Sequence, residues 1–398
     1  MNIQTIVDRL KETLAVDGKN ISLHEPTFSG NEWNYVKECL DTGWVSSVGK
    51  FVDKFEQDLS DFTGAKHAVA VVNGTAALHV SYLLAGVQPG DEVLVPTLTF
   101  IGTINPIHYC GAIPHFIDAE EKTLGLNAKL IDAYLNEIVE IKSQQSINRI
   151  TGRPIRALCV MHTLGHPIDL DPIVELCEKY HLTLIEDAAE ALGSYYKGTH
   201  VGHKGLIGAL SFNGNKTITT GGGGAILTNH TEIAKKAKHI TTTAKLPHSW
   251  AFIHDQVGYN YRLPNLNAAV GCAQLEKLPD FLHAKRVLAD TYQSIFSTIT
   301  GVRFLQEPAF GKSNYWLNAL LLDEAFADQR DPFLELFGKN GMMTRPLWNL
   351  QHTLSMYQDC PRMPVPVAES LFKRLIKIPS SASLGMSLIQ KNITVESI

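Results

Sequence analysis

Three short stretches hold residues that could do covalent chemistry. In SFNGNKTITTGGGGAIL (211–227), Ser211 closes an apolar run, Asn213 and Asn215 mark turns, and Lys216 stands shortly before four consecutive glycines. In LIEDAAEALGS, a hydrophobic run delivers Glu186 and Asp187 to its end, and Glu190 lies three residues past Asp187. In VVNGTAALH, an apolar run passes through Asn73, Gly74 and Thr75 into a helix-like segment, where backbone N–H groups and a hydroxyl could receive a phosphate. Taken singly, each has an ordinary reading: a solvated loop lysine, or a helix cap at Asp187 or Thr75. Taken together they fit one chemistry. A lysine amine that forms a Schiff base, a carboxylate that keeps a pyridine nitrogen protonated as an electron sink, and a phosphate cradle suit pyridoxal 5'-phosphate. The glycines at 221–224 are expected to bring backbone close to such a cofactor where a Cβ would obstruct it.

These residues need a scaffold that gathers strand ends, and the pattern along the chain supplies one. The strand HAVAVV, the helix AALHVSYLLAG, and the strands EVLVP and IPHFID give way to RALCVMH, the helix DLDPIVELCEKY, and the strands LTLIED, ALSFN and AILTN. That is the βαβ rhythm of a parallel sheet buried on both faces, in which ligands collect at the carboxyl edge. A helical stretch near 268–295 leads to YWLNALLL, DPFLELFGKNG and VAESLFKRLIKIP, which read as a smaller α+β unit. The expected organisation is an N-terminal helix and segment over 1–29 packing on the small domain, a large cofactor-binding α/β domain over 30–275 built on a mixed, mostly parallel sheet, and a small C-terminal α+β domain over 276–398.

Other chemistries fit less well. His162 and His166 are four apart, but Gly165 and Pro167 place them on a loop after a strand, so no metal site is expected. The glycine run precedes a strand and is not a dinucleotide fingerprint. A formal charge of −5 without a basic tract argues against a nucleic-acid surface. The six cysteines are scattered with no C-x-x-C pair, as expected for reduced thiols. The start of the chain repeats Ile3, Ile6, Val7, Leu10 and Leu14 at helical spacing and lacks a long apolar segment, which fits a cytoplasmic protein. The most apolar window, 67–86, is interrupted by Asn73, Gly74 and His79, so no membrane span is expected.

The chain resembles the DegT/DnrJ/EryC1/StrS sugar aminotransferases, a branch of the aspartate-aminotransferase-like, fold-type I pyridoxal phosphate enzymes. The matching stretches run nearly end to end: NGTAALH, GDEVLVPTLTFIGTIN, GAIPHFID, HTLGHPIDLD, IEDAAEALGSYYKG, GALSFNGNK, TTGGGGAILTN, GYNYRLPNLNAAVGCAQL and RPLW. The resemblance implies that Lys216 is the Schiff-base lysine and Asp187 the partner of the pyridinium nitrogen. It implies that Gly74, Thr75 and Ala76 hold the phosphate with Ser211, that Asn213 lies beside them, and that Phe100 covers a face of the ring. In this family the asparagine of GYNYR reaches the phosphate in the other subunit, so Asn260 implies a homodimer with shared active sites. Arg345 and Trp348 of RPLW are candidates for a pyrophosphate-linked sugar, with a surface ion pair and small-domain packing as the alternatives.

Departures from the family pattern narrow the expectation. Glu190 stands where many members have glutamine, and the resemblance implies that it faces the cofactor's phenolic oxygen with altered charge; SFNGNK replaces the common SFHxxK, and GGGG replaces GEGG. With TTTAKLPHSW, these resemble the subgroup that aminates C4 of a UDP-linked 4-keto-6-deoxy-N-acetylhexosamine in legionaminic acid and bacillosamine type pathways. The expected activity is therefore transfer of an amino group, with glutamate as donor, to a nucleotide-linked 4-keto sugar. A sugar dehydratase, an aldolase-type enzyme and a non-catalytic regulatory relative are the alternatives; retention of a lysine at 216 argues against the dehydratases, which carry histidine there.

Overall fold

The computed structural model describes residues 2–14 and 20–396, with side chains as far as 391. Strands β1 (His67–Val71), β2 (Glu92–Pro96), β3 (Ile113–Ile117), β4 (Val139–Lys142), β5 (Gln145–Asn148), β6 (Pro154–Met161) and β7 (Thr183–Asp187) precede a short hairpin, β8 (Tyr195–Tyr196) and β9 (Thr199–His200). β10 (Ile207–Ser211) and β11 (Gly224–Thr228) follow. One nine-stranded sheet has the order β1-β11-β10-β7-β6-β2-β3, with β5 added to β6 and β4 to β5.

Neighbours from β10 to β3 run parallel, whereas β11 is antiparallel to both β10 and β1. The sheet is therefore mixed and mostly parallel, as expected for the fold; the strand rhythm alone does not say which strands are antiparallel. The link between β10 and β11 carries no helix, so the chain returns beside β10 in the opposite direction and not by a helical crossover. One consequence bears on chemistry: β1, β10, β7, β6, β2 and β3 all end at the same edge, and β11 begins there. Gly224 faces both Val71 and Ser211, while Asp187 faces Ala209 and Met161.

Helix Gly74–Leu84 begins where β1 ends, two residues earlier than the apolar pattern indicates. Asn73 is extended (φ −169°) and its side chain accepts the Ala76 N–H at 2.7 Å, which caps the first turn. Beyond the long helix Asn265–Phe296 come β12 (Val302–Phe304), β13 (Gly311–Lys312), β14 (Asn318–Leu322), β15 (Arg345–Pro346) and β16 (Leu375–Ile378). Four of these form an antiparallel sheet in the order β12-β14-β16-β15, and β13 joins the β8-β9 hairpin. YWLNALLL is a strand only from Asn318, because Tyr315 has a left-handed φ of 47° that breaks the extended run. The N-terminal helix Ile3–Leu14 buries Ile6, Val7 and Leu10 among Tyr292, Phe333 and Phe337. The cysteines are free thiols. Among the described residues, no helix is long and apolar enough to cross a membrane.

Candidate active site

Past Ser211 the chain turns sharply. The Lys216 amide donates to the Asn213 carbonyl at 3.0 Å, and the Trp316 indole N–H donates to the Asn215 carbonyl at 2.7 Å. Lys216 thereby lies over the Trp316 ring, with Nζ 3.9 Å from its centroid, and meets Glu190 Oε1 at 3.4 Å. Glu190 is buried, and its Oε2 accepts the Leu164 amide at 2.8 Å. Burial pushes its carboxyl pKa up, against the pull of Lys216.

Asp187 ends β7 and is 2 % exposed. The Thr103 hydroxyl donates to its Oδ2 at 2.6 Å, and the Ala189 amide donates to Oδ1 at 3.0 Å. Burial raises its pKa while Thr103, Ala189 and Lys216 oppose the rise. The anionic carboxylate is thus short of positive charge, and a cation placed against it would favour the ionised form. Glu186, one residue earlier on the strand, points to the opposite face. There it accepts the Gly202, Lys204 and Gly205 amides and meets His162 Nε2 at 3.0 Å, so it anchors a loop and stays out of the cleft.

Lys216, Asp187, Glu190, Ser211, Asn213, Phe100, Gly74 and Thr75 line one cavity of about 220 Å³, joined by Asn73, Thr103 and Met161. Phe100, half exposed, lies 6.3 Å from Trp348 between ring centroids. Ala76 does not line the cavity, and the Asn73 cap takes its N–H. Asn260 is exposed and bridged to Thr242, outside this cavity. Arg345 is exposed and donates to the Thr344 carbonyl. The glycine run also lies outside the lining, contrary to expectation. A Cβ on Gly224 would fall 2.5 Å from the Asn73 carbonyl carbon, so that glycine lets β11 approach the backbone that starts the helix.

Sequence reasoning missed Thr103, Trp316 and Lys377. Thr103 was readable in TFIGTIN as a hydroxyl one helical turn from Thr99, which it meets at 2.7 Å. Trp316 carried no local signal. Lys377 had one: it interrupts an apolar strand whose four residues are all buried.

The family model for the DegT/DnrJ/EryC1/StrS aminotransferase family matches residues 26–394. The chain belongs to that family. It is 38% identical to the GDP-perosamine synthase of Escherichia coli O157:H7 over 92% of this chain and 95% of that protein. It is 36% identical to EpsN of Bacillus subtilis (strain 168), a relative with pyridoxal phosphate in its name, over 92% of each chain. Among solved structures, the aminotransferase TlmJ from Streptoalloteichus hindustanus superimposes with a TM-score of 0.82 at 28% identity, covering 93% of this chain and 97% of its own. This DegT/DnrJ/EryC1/StrS protein is therefore a pyridoxal 5'-phosphate-dependent sugar aminotransferase with the fold-type I architecture.

The cavity fits that cofactor. The Gly74 and Thr75 amides make no hydrogen bond among the described residues, and a Cβ on Gly74 would lie 2.8 Å from the Ser211 Cβ. The start of the helix is thus an open cradle suited to a phosphate. The undercompensated Asp187 carboxylate suits a protonated ring nitrogen, and Lys216 brings the only amine among the lining residues.

Proposed function

We propose that the protein moves an amino group from glutamate to C4 of a nucleotide-linked 4-keto-6-deoxy sugar, in the synthesis of a surface polysaccharide or nonulosonic acid. The reading is carried by Lys216 and Asp187 sharing one cavity in a chain 38% identical to a named nucleotide-sugar synthase. Bound pyridoxal phosphate supplies the carbonyl that receives the amino group and the electron-withdrawing ring. Lys216 would hold the cofactor through Nζ and, as a free amine, would move a proton. Asp187 holds the proton on the ring nitrogen. Gly74, Thr75, Ser211 and Asn213 seat the phosphate, and Phe100 covers the ring. Residues 30–275 would form the cofactor domain, to which the whole cavity lining belongs.

Two observations bear on the nucleotide. The GGGG and TTTAKLPHSW stretches favour a UDP-linked N-acetylated sugar, whereas the most similar relative reported above is named for a GDP-linked product. A panel of UDP-, GDP- and dTDP-linked 4-keto sugars with glutamate should show one nucleotide preferred by about tenfold or more, with a 4-amino sugar as product. Equal rates with simple keto acids would sink the nucleotide-sugar reading, and an unaminated product would favour the dehydratase or aldolase alternative.

We further propose a homodimer in which Asn260 completes the partner's phosphate site, supported by its exposure and its position outside the cavity of its own chain. Mixing inactive Asn260→Ala and Lys216→Ala chains should restore activity, because each hybrid holds one intact site. Verified heterodimers without recovery would count against sharing.

A further inference from the structure

Lys377 sits on β16 with its side chain 6 % exposed at the residue level, beside the cavity and not in its lining. Its Nζ lies 4.7 Å from the centroid of Trp348, whose ring neighbours Phe100 at the cavity mouth. Among the described residues Lys377 makes no ion pair and no hydrogen bond through Nζ. The carboxylate that acts on it, Glu190, is already paired with Lys216 at 3.4 Å. Directly across the strand pair, in register with Lys377, stands Arg345 of β15, also without a carboxylate partner.

This placement is unfavourable as it stands. Like charges opposite each other on antiparallel strands repel, and residues in register project to the same face. One of the two is also desolvated, which pushes the Lys377 amine down to about 8. A bound anion would remove both penalties by pairing with two cations at once. The aromatic face of Trp348 beneath the ammonium adds attraction but no negative charge to neutralise it.

We propose that Lys377 and Arg345 form a recognition site for an oxyanion of a substrate, carboxylate or phosphate, at the mouth of the cofactor cavity. The proposal rests on the amino-transfer reading, in which both substrates are anions: the donor carries carboxylates and the sugar carries a diphosphate. Lys377 would then fix the orientation of one of them relative to Lys216.

The test uses unreactive ligands on the cofactor-loaded protein: glutarate, which carries the donor's carboxylates without its amine, and GDP and UDP. Binding is followed by tryptophan fluorescence for wild type, Lys377→Met and Lys377→Arg. The methionine keeps the length and apolar character of the stem, so the melting temperature and the bound cofactor's absorbance should match or exceed those of wild type. Loss of one charge-assisted contact should raise Kd by about tenfold or more, and the arginine should recover most of it. A rise confined to glutarate assigns the site to the donor; a rise confined to the nucleotides assigns it to the sugar diphosphate. Unchanged Kd values for all three ligands in Lys377→Met, or no binding by wild type, would overturn the proposal. Failure of the amino-transfer reading shows separately, as absence of turnover by wild type with glutamate and the keto-sugar panel.

Discussion

Replacing Lys216 by alanine should lower turnover by at least roughly 10²–10⁴-fold, the share that a positioned general acid–base group contributes, while leaving the fold intact. Lys216 stands in a loop held by backbone bonds and by Trp316, and its side chain, 13 % exposed, lines the cavity. The cofactor should still bind through the helix start and Asp187, but without a covalent tie to the chain. Glu190 loses its cation in this variant. Because burial already pushes that carboxyl pKa up and Lys216 pulls it down, Glu190 should then take up a proton at a higher pH than in wild type, readable by infrared absorption of the protonated carboxyl. Single-turnover kinetics with glutamate within tenfold of wild type would remove Lys216 from the chemistry.

The second large effect concerns Asp187. The amide in Asp187→Asn can still accept from Ala189 through Oδ1, and the Thr103 hydroxyl can turn to accept from Nδ2, so the two hydrogen bonds survive. What is lost is negative charge. Turnover should fall by about 10²–10³-fold, the scale seen when one preorganised electrostatic partner is removed. Stability separates this from a structural role. The raised pKa of Asp187 means that the ionised carboxylate is disfavoured in the fold. Its contribution therefore becomes less unfavourable as pH falls and the group protonates. Asparagine should leave the cofactor-free protein as stable at neutral pH or more so, whereas the rise in Tm on adding cofactor should shrink. A variant with a wild-type rate and an unchanged rise in Tm would reduce Asp187 to a residue that holds the turn after β7, where no helix begins.

Much of the scaffold was legible because parallel strands buried on both faces write themselves as short apolar runs, and each run ends at its working residue: Asp187 after LTLIE, Ser211 after GAL. The common edge that gathers them follows from strand direction. Less legible was everything fixed by a distant segment. β11 reverses direction because its connection lacks a helix, and nothing local in AILTN states the direction of its partners. The glycines beside Lys216 suggested contact with the cofactor, yet Gly224 answers to the Asn73 backbone. Trp316 and Lys377 come after the helix Asn265–Phe296 in the chain, and only their packing on Lys216 and Trp348 shows their relevance. The place of Ala76 was also hidden for a local reason, since the side chain that starts its helix accepts its amide.

The central claim is that one particular lysine holds the cofactor. Two other lysines are buried and have their amines pushed toward the neutral form: Lys285 to about 7 and Lys377 to about 8. Each is a chemically credible rival for attack on an aldehyde, since a neutral amine is the nucleophile, yet neither lines the cavity. Borohydride reduction of the cofactor-loaded protein, followed by proteolysis and mass mapping, fixes the pyridoxyl group to whichever lysine bore it. The label should fall on Lys216 alone and disappear in Lys216→Ala. A pyridoxyl group on Lys285, Lys377 or any other lysine of the wild type would contradict the site and the chemistry derived from it.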